Sequence, residues 1–306
     1  MGDWGHILLG VLASGIRLAT PYLYAGIGET LGQRSGVLNL GVEGQMLLGA
    51  FAAFYVTYRT GNVLGGLLAA ALVGLLMGLA MAFVSVNLQA EQGISGIGFY
   101  LFGLGLSDLL FQKLLGTVDS VRGVPDAVIP GLSDLPVLGE LLFRHNWMVY
   151  GAYALVPLAW FVLNKTPWGL MIKAAGENPH AADSLGVSVA RVRYATVTLG
   201  GVLSAIGGAS LSVGLLKIFQ QNMTSGLGFI AVALVYFGGW RPVGVLLGAL
   251  LFSLVNALQL WVQVLGLPIP ADFAVMAPYV LTIVVLVIVV QRARPPAALA
   301  RPFERE

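Results

Sequence analysis

Residues 64–86, LGGLLAAALVGLLMGLAMAFVSV, form an unbroken run of 23 residues without a charge. A helix crosses the hydrocarbon core of a bilayer in about 20 mostly apolar residues, so this run reads as a membrane span. The rest of the chain has the same character. Of its 306 residues, 58% are apolar and only 10% are charged. A soluble globular domain carries about a quarter charged residues, so this composition cannot cover a water-facing surface. The 41 glycines agree, because Gly is more frequent in membrane helices than in soluble ones. The expected fold is an all-α, polytopic membrane helix bundle forming a single transmembrane domain over residues 1–306.

Outward from that run, further apolar segments fall at residues 7–27, 37–58, 94–115, 147–163, 195–216, 229–237, 243–265 and 273–290, about nine in all. Two are unusual. Residues 229–237 would reach about 14 Å as a helix, half a bilayer. Residues 37–58 are long enough but open on Gly36, Asn39, Gly41, Glu43, Gly44 and Gln45. Shortened or Gly-interrupted segments in matching positions of two halves point to a substrate site in transporters. Ser35-Gly36-Val37 and Ser225-Gly226-Leu227 open these two segments, a pairing that would fit an internal repeat.

Basic residues set the orientation. Residues 164–194 carry Lys165, Lys173, Arg191 and Arg193, and the tail 291–306 carries Arg292, Arg294, Arg301 and Arg305. Both are expected on the cytoplasmic side, whereas 116–146, with Asp119, Asp126, Asp134 and Glu140, is expected outside. Counting spans backwards puts the N-terminus outside. Met1-Gly2-Asp3-Trp4 has no basic stretch of the signal-peptide kind, so the first segment is expected to stay as a membrane helix. Gly74 with Gly78, Gly244 with Gly248, and Gly200, Ser204 and Gly208 give small-xxx-small spacings that let helices approach closely.

Several functions are excluded or disfavoured. A net charge of +2 gives no basic surface for nucleic acid. With no cysteines, disulfides, thiolate metal sites and thiol nucleophiles are absent. His6, His145 and His180 lie far apart in no metal-ligand spacing. No bound metal or cofactor, and no catalytic group, is expected.

The cytoplasmic connector is too elaborate to be a plain linker. Asn178 is a good helix N-cap, Pro179 suits the first helical position, and Gly186 suits the left-handed stop. A short helix over 179–185 is expected, built into a loop of about thirty residues where a few would suffice. A docking surface for a cytoplasmic partner accounts for it, made of Gly176, Glu177, Asn178, Pro179, Ala182, Asp183 and Gly186.

This stretch resembles the coupling loop of ABC importer permeases, in which a short helix sits in a groove of the ATPase subunit. Gly176-Glu177-Asn178-Pro179, Ala181-Ala182 and Gly186-Val187 look like the ribose and branched-chain amino-acid branch. QRSGVLNLGVEG at 33–44 is similar to the nucleoside and simple-sugar permeases within it, which usually open the motif Glu-Arg-Ser-Gly where this chain has Gln33. Asn222-Met223-Thr224-Ser225-Gly226, Gly228-Phe229-Ile230-Ala231 and residues 238–242 complete the match. The resemblance implies a permease subunit in a bacterial cell (plasma, or inner) membrane, translocating a nucleoside or simple sugar. It implies two ATPase subunits binding ATP and Mg²⁺, a second permease subunit of the same or a related chain, and an extracytoplasmic binding protein. Membrane lipid surrounds the whole.

Polar residues within the spans mark a path. Asn39 and Glu43 are four apart, on one face if that segment is helical. An intramembrane Glu is costly and functional by default; it either contacts the solute or bonds backbone N–H groups freed at the neighbouring glycines. Asn256, Gln259 and Gln263 form one polar stripe. With Gln45 and Asn222 added, the candidate path residues are Asn39, Glu43, Gln45, Asn222, Asn256 and Gln259. Neutral amides suit an uncharged, hydroxyl-rich solute better than an ion.

The chain has no GxxxxGK[ST] phosphate loop, so ATP must be hydrolysed elsewhere. The alternative is an ion-gradient-driven secondary transporter, for which Glu43, Asp108 and Asp272 are the available acids. A membrane enzyme lacks a nucleophile–base pair, and a channel lacks a filter motif.

Overall fold

The computed structural model describes residues 3–117, 119–128, 131–135, 137–264 and 294–304, with Met276, Val280, Leu281, Ile283, Val284 and Val287 between. The expected segment 273–290 otherwise lies outside the described residues, as do 291–293 and 305–306 of the tail. The structure is a helix bundle. Its membrane part comprises α1 (Asp3–Arg34), α2 (Val42–Thr60), α3 (Val63–Ala82), α4 (Gln92–Leu114), and later α6 (Trp147–Lys165), α9 (Val189–Ala209), α10 (Leu227–Phe237) and α11 (Pro242–Val264). Among the described residues six helices are long and apolar enough to cross a membrane; α10 is apolar but short.

The outer helix α3 shows why such a sequence folds. Leu64, Leu68, Leu72 and Leu76 each stay more than half exposed, while Gly66, Ala70, Gly74 and Gly78 are buried. Large side chains face out and small ones face in, the arrangement suited to lipid rather than water outside. A Cβ on Gly74 would run into Gly201 O, and one on Gly78 into Thr198 Cα. The expected small-residue contacts therefore join α3 to α9. Gly28 and Gly200 meet in the same way between α1 and α9, and Gly49 abuts Ala205 between α2 and α9. Helix α9 is thus the central post, with α1, α2 and α3 packed round it.

Residues 126–128 (β1) and 144–146 (β2) pair antiparallel beside the short α5 (Leu138–Leu142), a small element the all-helical expectation did not include. Helix α1 runs the full depth of the bundle. About midway along it Arg17 lies within electrostatic reach of His145 at the hairpin end, and at its finish Arg34 O abuts Gly176. Burial lowers the His145 pKa below its ordinary value. At the basic end lie α7 (Pro167–Glu177) and α8 (Pro179–Ser184). The tail straps across this end. Ala298 N donates to Gly176 O, Ala300 N to Gly36 O, and the buried Arg193 donates to both Ser35 O and Arg301 O.

Candidate functional site

The expected helix at 37–58 begins only at Val42; residues 37–41 are not helical, so Asn39 precedes α2 instead of sharing its face with Glu43. The break is made at Gly36, whose φ of +95° turns the chain after α1. The second break is its likeness. Gly226 has φ +89°, and in both places the preceding Ser folds back: Ser35 Oγ donates to Gly32 O, and Ser225 Oγ to Asn222 O.

Glu43, in the first turn of α2, crosses to the second break. Thr224 Oγ1 (2.6 Å) and Gly226 N (2.7 Å) donate to its Oε1, and Gly228 N (2.6 Å) donates to its Oε2. These amides belong to the opening of α10, where backbone N–H groups have no partner within the helix and the dipole favours a negative charge. The carboxylate is fully buried. It bonds freed backbone N–H groups, and those groups belong to the opposite half-helix rather than to Gly41 and Gly44. Approach is close enough to require glycine: a Cβ on Gly228 would lie 2.6 Å from Glu43 Cα.

A second carboxylate, Glu29, holds the first break. Gln33 Nε2 and Asn39 N both donate to Glu29 Oε1 at 3.0 Å. Asn39 Oδ1 accepts from Gly41 N, and Asn39 Nδ2 donates to Gln45 Oε1. Gln45 Nε2 has no partner among the described residues. Gln33 Oε1 in turn accepts from Trp240 Nε1 at 2.7 Å. The indole can only donate, so the Gln33 oxygen must face it and the amide nitrogen must face Glu29. An ionised Glu at 33 could take the indole bond but could not donate to Glu29. That is a physical reason for the glutamine at the edge of this motif.

Asn39 and Gln45 therefore belong to a buried network around Glu29, while the equally buried Glu43 is held separately by the opening of α10. Asn256 and Gln259 lie elsewhere. They line a cavity of about 300 Å³ with Tyr22, Thr224, Ser225 and Ile230. Among the described residues no charged side chain lines it. Asn222 is exposed, one turn before this wall, with a left-handed φ of +51°. The side chain of Gln263 lies outside the described residues. Sequence reading missed Tyr22, Thr224 and Ser225 as wall residues and Glu29 as a network member. Glu29 and Gln33 are four apart on one helical face, a legible signal just past the end of the first apolar run.

At the basic end, α8 has the expected caps. Ala181 N donates to Asn178 Oδ1, and Gly186 closes the helix with φ +86°. Pro179 and Ala182 are buried; Ala182 packs with Leu31, Leu163, Ile172, Val189 and Val192, while Leu185 projects almost fully exposed. Glu177 is exposed and accepts weakly from Ala297 N at 3.4 Å; Gly176 is buried under the tail.

Comparison with known proteins agrees with this architecture. The family described as "Branched-chain amino acid transport system / permease component" matches residues 11–290. The provisionally named glucose ABC transporter permease protein TsgC13 of Haloferax volcanii is 37% identical, over 97% of this chain and 98% of its own. The guanosine ABC transporter permease protein NupQ of Bacillus subtilis is 34% identical over 98% of each chain. The nucleoside ABC transporter permease protein NupC of Lactococcus lactis is 35% identical over 94% of each. No solved structure matches. These relatives support the ATP-driven reading over the ion-gradient carrier. A multi-pass plasma-membrane protein follows, with ATP hydrolysed on separate subunits. The chain belongs to the permease-component family of branched-chain amino acid transport systems and is the membrane subunit of an ATP-driven importer.

Proposed function

We propose that this permease carries a neutral, hydroxyl-rich solute, a nucleoside or a simple sugar, past the cavity walled by Tyr22, Ser225, Asn256 and Gln259. The uncharged lining that the described residues give that cavity carries the reading. At about 300 Å³ it lies at the small end of ligand pockets. Amides and hydroxyls there can exchange hydrogen bonds with a hydroxylated solute and release it without a deep charge trap. The helix N-terminus that would attract an anion is already occupied by Glu43. The names of the relatives point to the same solute classes. In this account Asn39, Glu43 and Gln45 border the path by holding its broken helices, and Asn222 sits at its rim.

ATP and Mg²⁺ bind two partner ATPase subunits, a second permease subunit completes the pore, and an extracytoplasmic protein delivers the solute. Residues 164–194 are the coupling loop, cytoplasmic like the tail 291–306, with 116–146 outside and about nine membrane segments in all. Glu177, Asn178 and Asp183 meet the ATPase at α8. Because Ala182 shares one apolar cluster with α1, α6, α7 and α9, movement of α8 is passed to four helices as a rigid body. The test is uptake by the assembled transporter with ATP, in competition with nucleosides, glucose and an anionic solute of similar size. Inhibition by a nucleoside or glucose alone fits. Equal inhibition by the anion contradicts the neutral path. Glu177→Lys should lower ATP-coupled uptake while membrane insertion stays normal; unchanged uptake would remove α8 from coupling.

A further inference from the structure

We infer that the basic end of the groove between α6 and α11 is a binding site for the headgroup of an anionic phospholipid. A cavity of about 500 Å³ lies there, outside the path and apart from the exposed tip of α8. Three cations line it: Arg34 at the end of α1, Lys173 on α7 and Arg241 just before α11. Among the described residues Arg34 uses only Nε, donating to Trp240 O at 2.8 Å, which leaves the rest of its guanidinium fork available. Lys173 gives one bond to Asn164 Oδ1 at 2.8 Å and has two further N–H groups. Arg241 is exposed.

Among the described residues no carboxylate lies within ion-pair distance of these three. Glu177 draws on Arg34 from farther off, and Arg241 opposes it. Burial, and then the nearby Arg34 charge, push the Lys173 pKa below its ordinary value. Helix α11 opens at the same place with Pro242, so the positive end of its dipole adds to the field. Three mutually repelling cations round one cavity call for an anion that accepts several hydrogen bonds, and a phosphodiester does so.

The surroundings select a lipid over a soluble phosphate. From the mouth of the cavity, Val243, Leu247 and Leu251 run down α11 at i, i+4 and i+8, all exposed. Leu158 and Phe161 are exposed on α6. Trp160 lines the cavity and is exposed, with Lys165 Nζ 6.0 Å from its ring. Trp and Lys at the end of a membrane helix are interfacial anchors, and basic pockets between helices on the cytoplasmic side suit anionic headgroups. The stripe on α11 gives acyl chains a surface that a free ion would not use. This assignment does not depend on which solute is carried.

The assembled transporter, in nanodiscs of equimolar phosphatidylcholine and phosphatidylglycerol, is extracted and its retained lipid counted by native mass spectrometry. Wild type should retain phosphatidylglycerol in preference by roughly tenfold or more. The double variant Lys173→Gln, Arg241→Gln should lose that preference, and Lys173→Arg, Arg241→Lys should keep it. Arg191→Gln removes an exposed cation from another cavity and should change nothing. No preference in wild type would overturn the assignment, as would full preference in the double Gln variant. Displacement of the lipid by millimolar inorganic phosphate would overturn it in favour of a soluble anion.

Discussion

The two broken segments share a local design and differ in where their polar groups go. Each has a Ser folded back on the preceding turn and a Gly in the left-handed region, followed by a helix that begins partway along the bundle. At the first break Glu29, Gln33, Asn39 and Gln45 turn inward on one another and are buried. At the second, Ser225 and Asn222 are exposed, and Ser225 helps wall a cavity. Glu43 is the tie between the two. The lesson is that a polar residue inside a membrane does not by itself mark a solute contact. A buried network whose groups are mostly spent on one another stiffens the frame, and the groups left facing open space are the ones with bonds to offer to solute.

The largest effect should come from cutting the tie. Glu43→Ala leaves the buried Gly228 N and Thr224 Oγ1 and the part-buried Gly226 N without their acceptor, at a cost of about 3 kcal/mol or more. Thermal unfolding in detergent would show it, with Glu43→Gln intermediate. Gly228→Ala tests the same crossing by size. Its methyl must displace Glu43 backbone, and about 2 kcal/mol of stability should be lost in the same measurement. The open side should behave in the opposite way. Asn256→Ala with Gln259→Ala should lower uptake by about tenfold, through two lost hydrogen bonds to solute, while the unfolding temperature stays near wild type.

The smallest effect sharpens the comparison by repeating the Glu43 chemistry in water. Glu91 caps α4, accepting from Ile94 N and Gly93 N, and those bonds, Ile94 first, lower its pKa. A depressed carboxylate contributes stability that is present above its unfolded pKa and lost as pH falls through the lowered value. Because Glu91 is exposed, Glu91→Ala should shift thermal unfolding far less than Glu43→Ala. The shift should vanish in acid below that lowered pKa.

Much of this was legible in the chain. The leucine-and-glycine run 64–86 announces a lipid-facing helix, and Asn178-Pro179 with Gly186 announces α8. The half-length of 229–237 announces α10, found as Leu227–Phe237. These features depend on local chemistry, which sequence spacing records. What escaped depends on distant partners. Residues 167–177 carry an amphipathic run of modest length that local spacing does not set apart from the loop around it. The tail read only as a basic end, although its backbone straps Gly36 and Gly176. Asn39 read as part of a helix because nothing local reveals that Glu29, ten residues earlier, captures its N–H. The stripe of Asn256 and Gln259 was legible as polar, but its facing wall of Tyr22 and Ser225 comes from two other elements.

The central claim is that the first break is closed and the second opens on the path. The chain has no cysteine, so single substitutions Gln45→Cys and Gln259→Cys report directly. Both would be labelled in the assembled transporter with a small, hydrophilic thiol reagent, with and without transported solute. The account predicts that position 259 reacts and is protected by solute, while position 45 stays unreactive in both conditions. Solute-protected labelling at 45 with none at 259 would contradict it and move the path to the other side of Glu43.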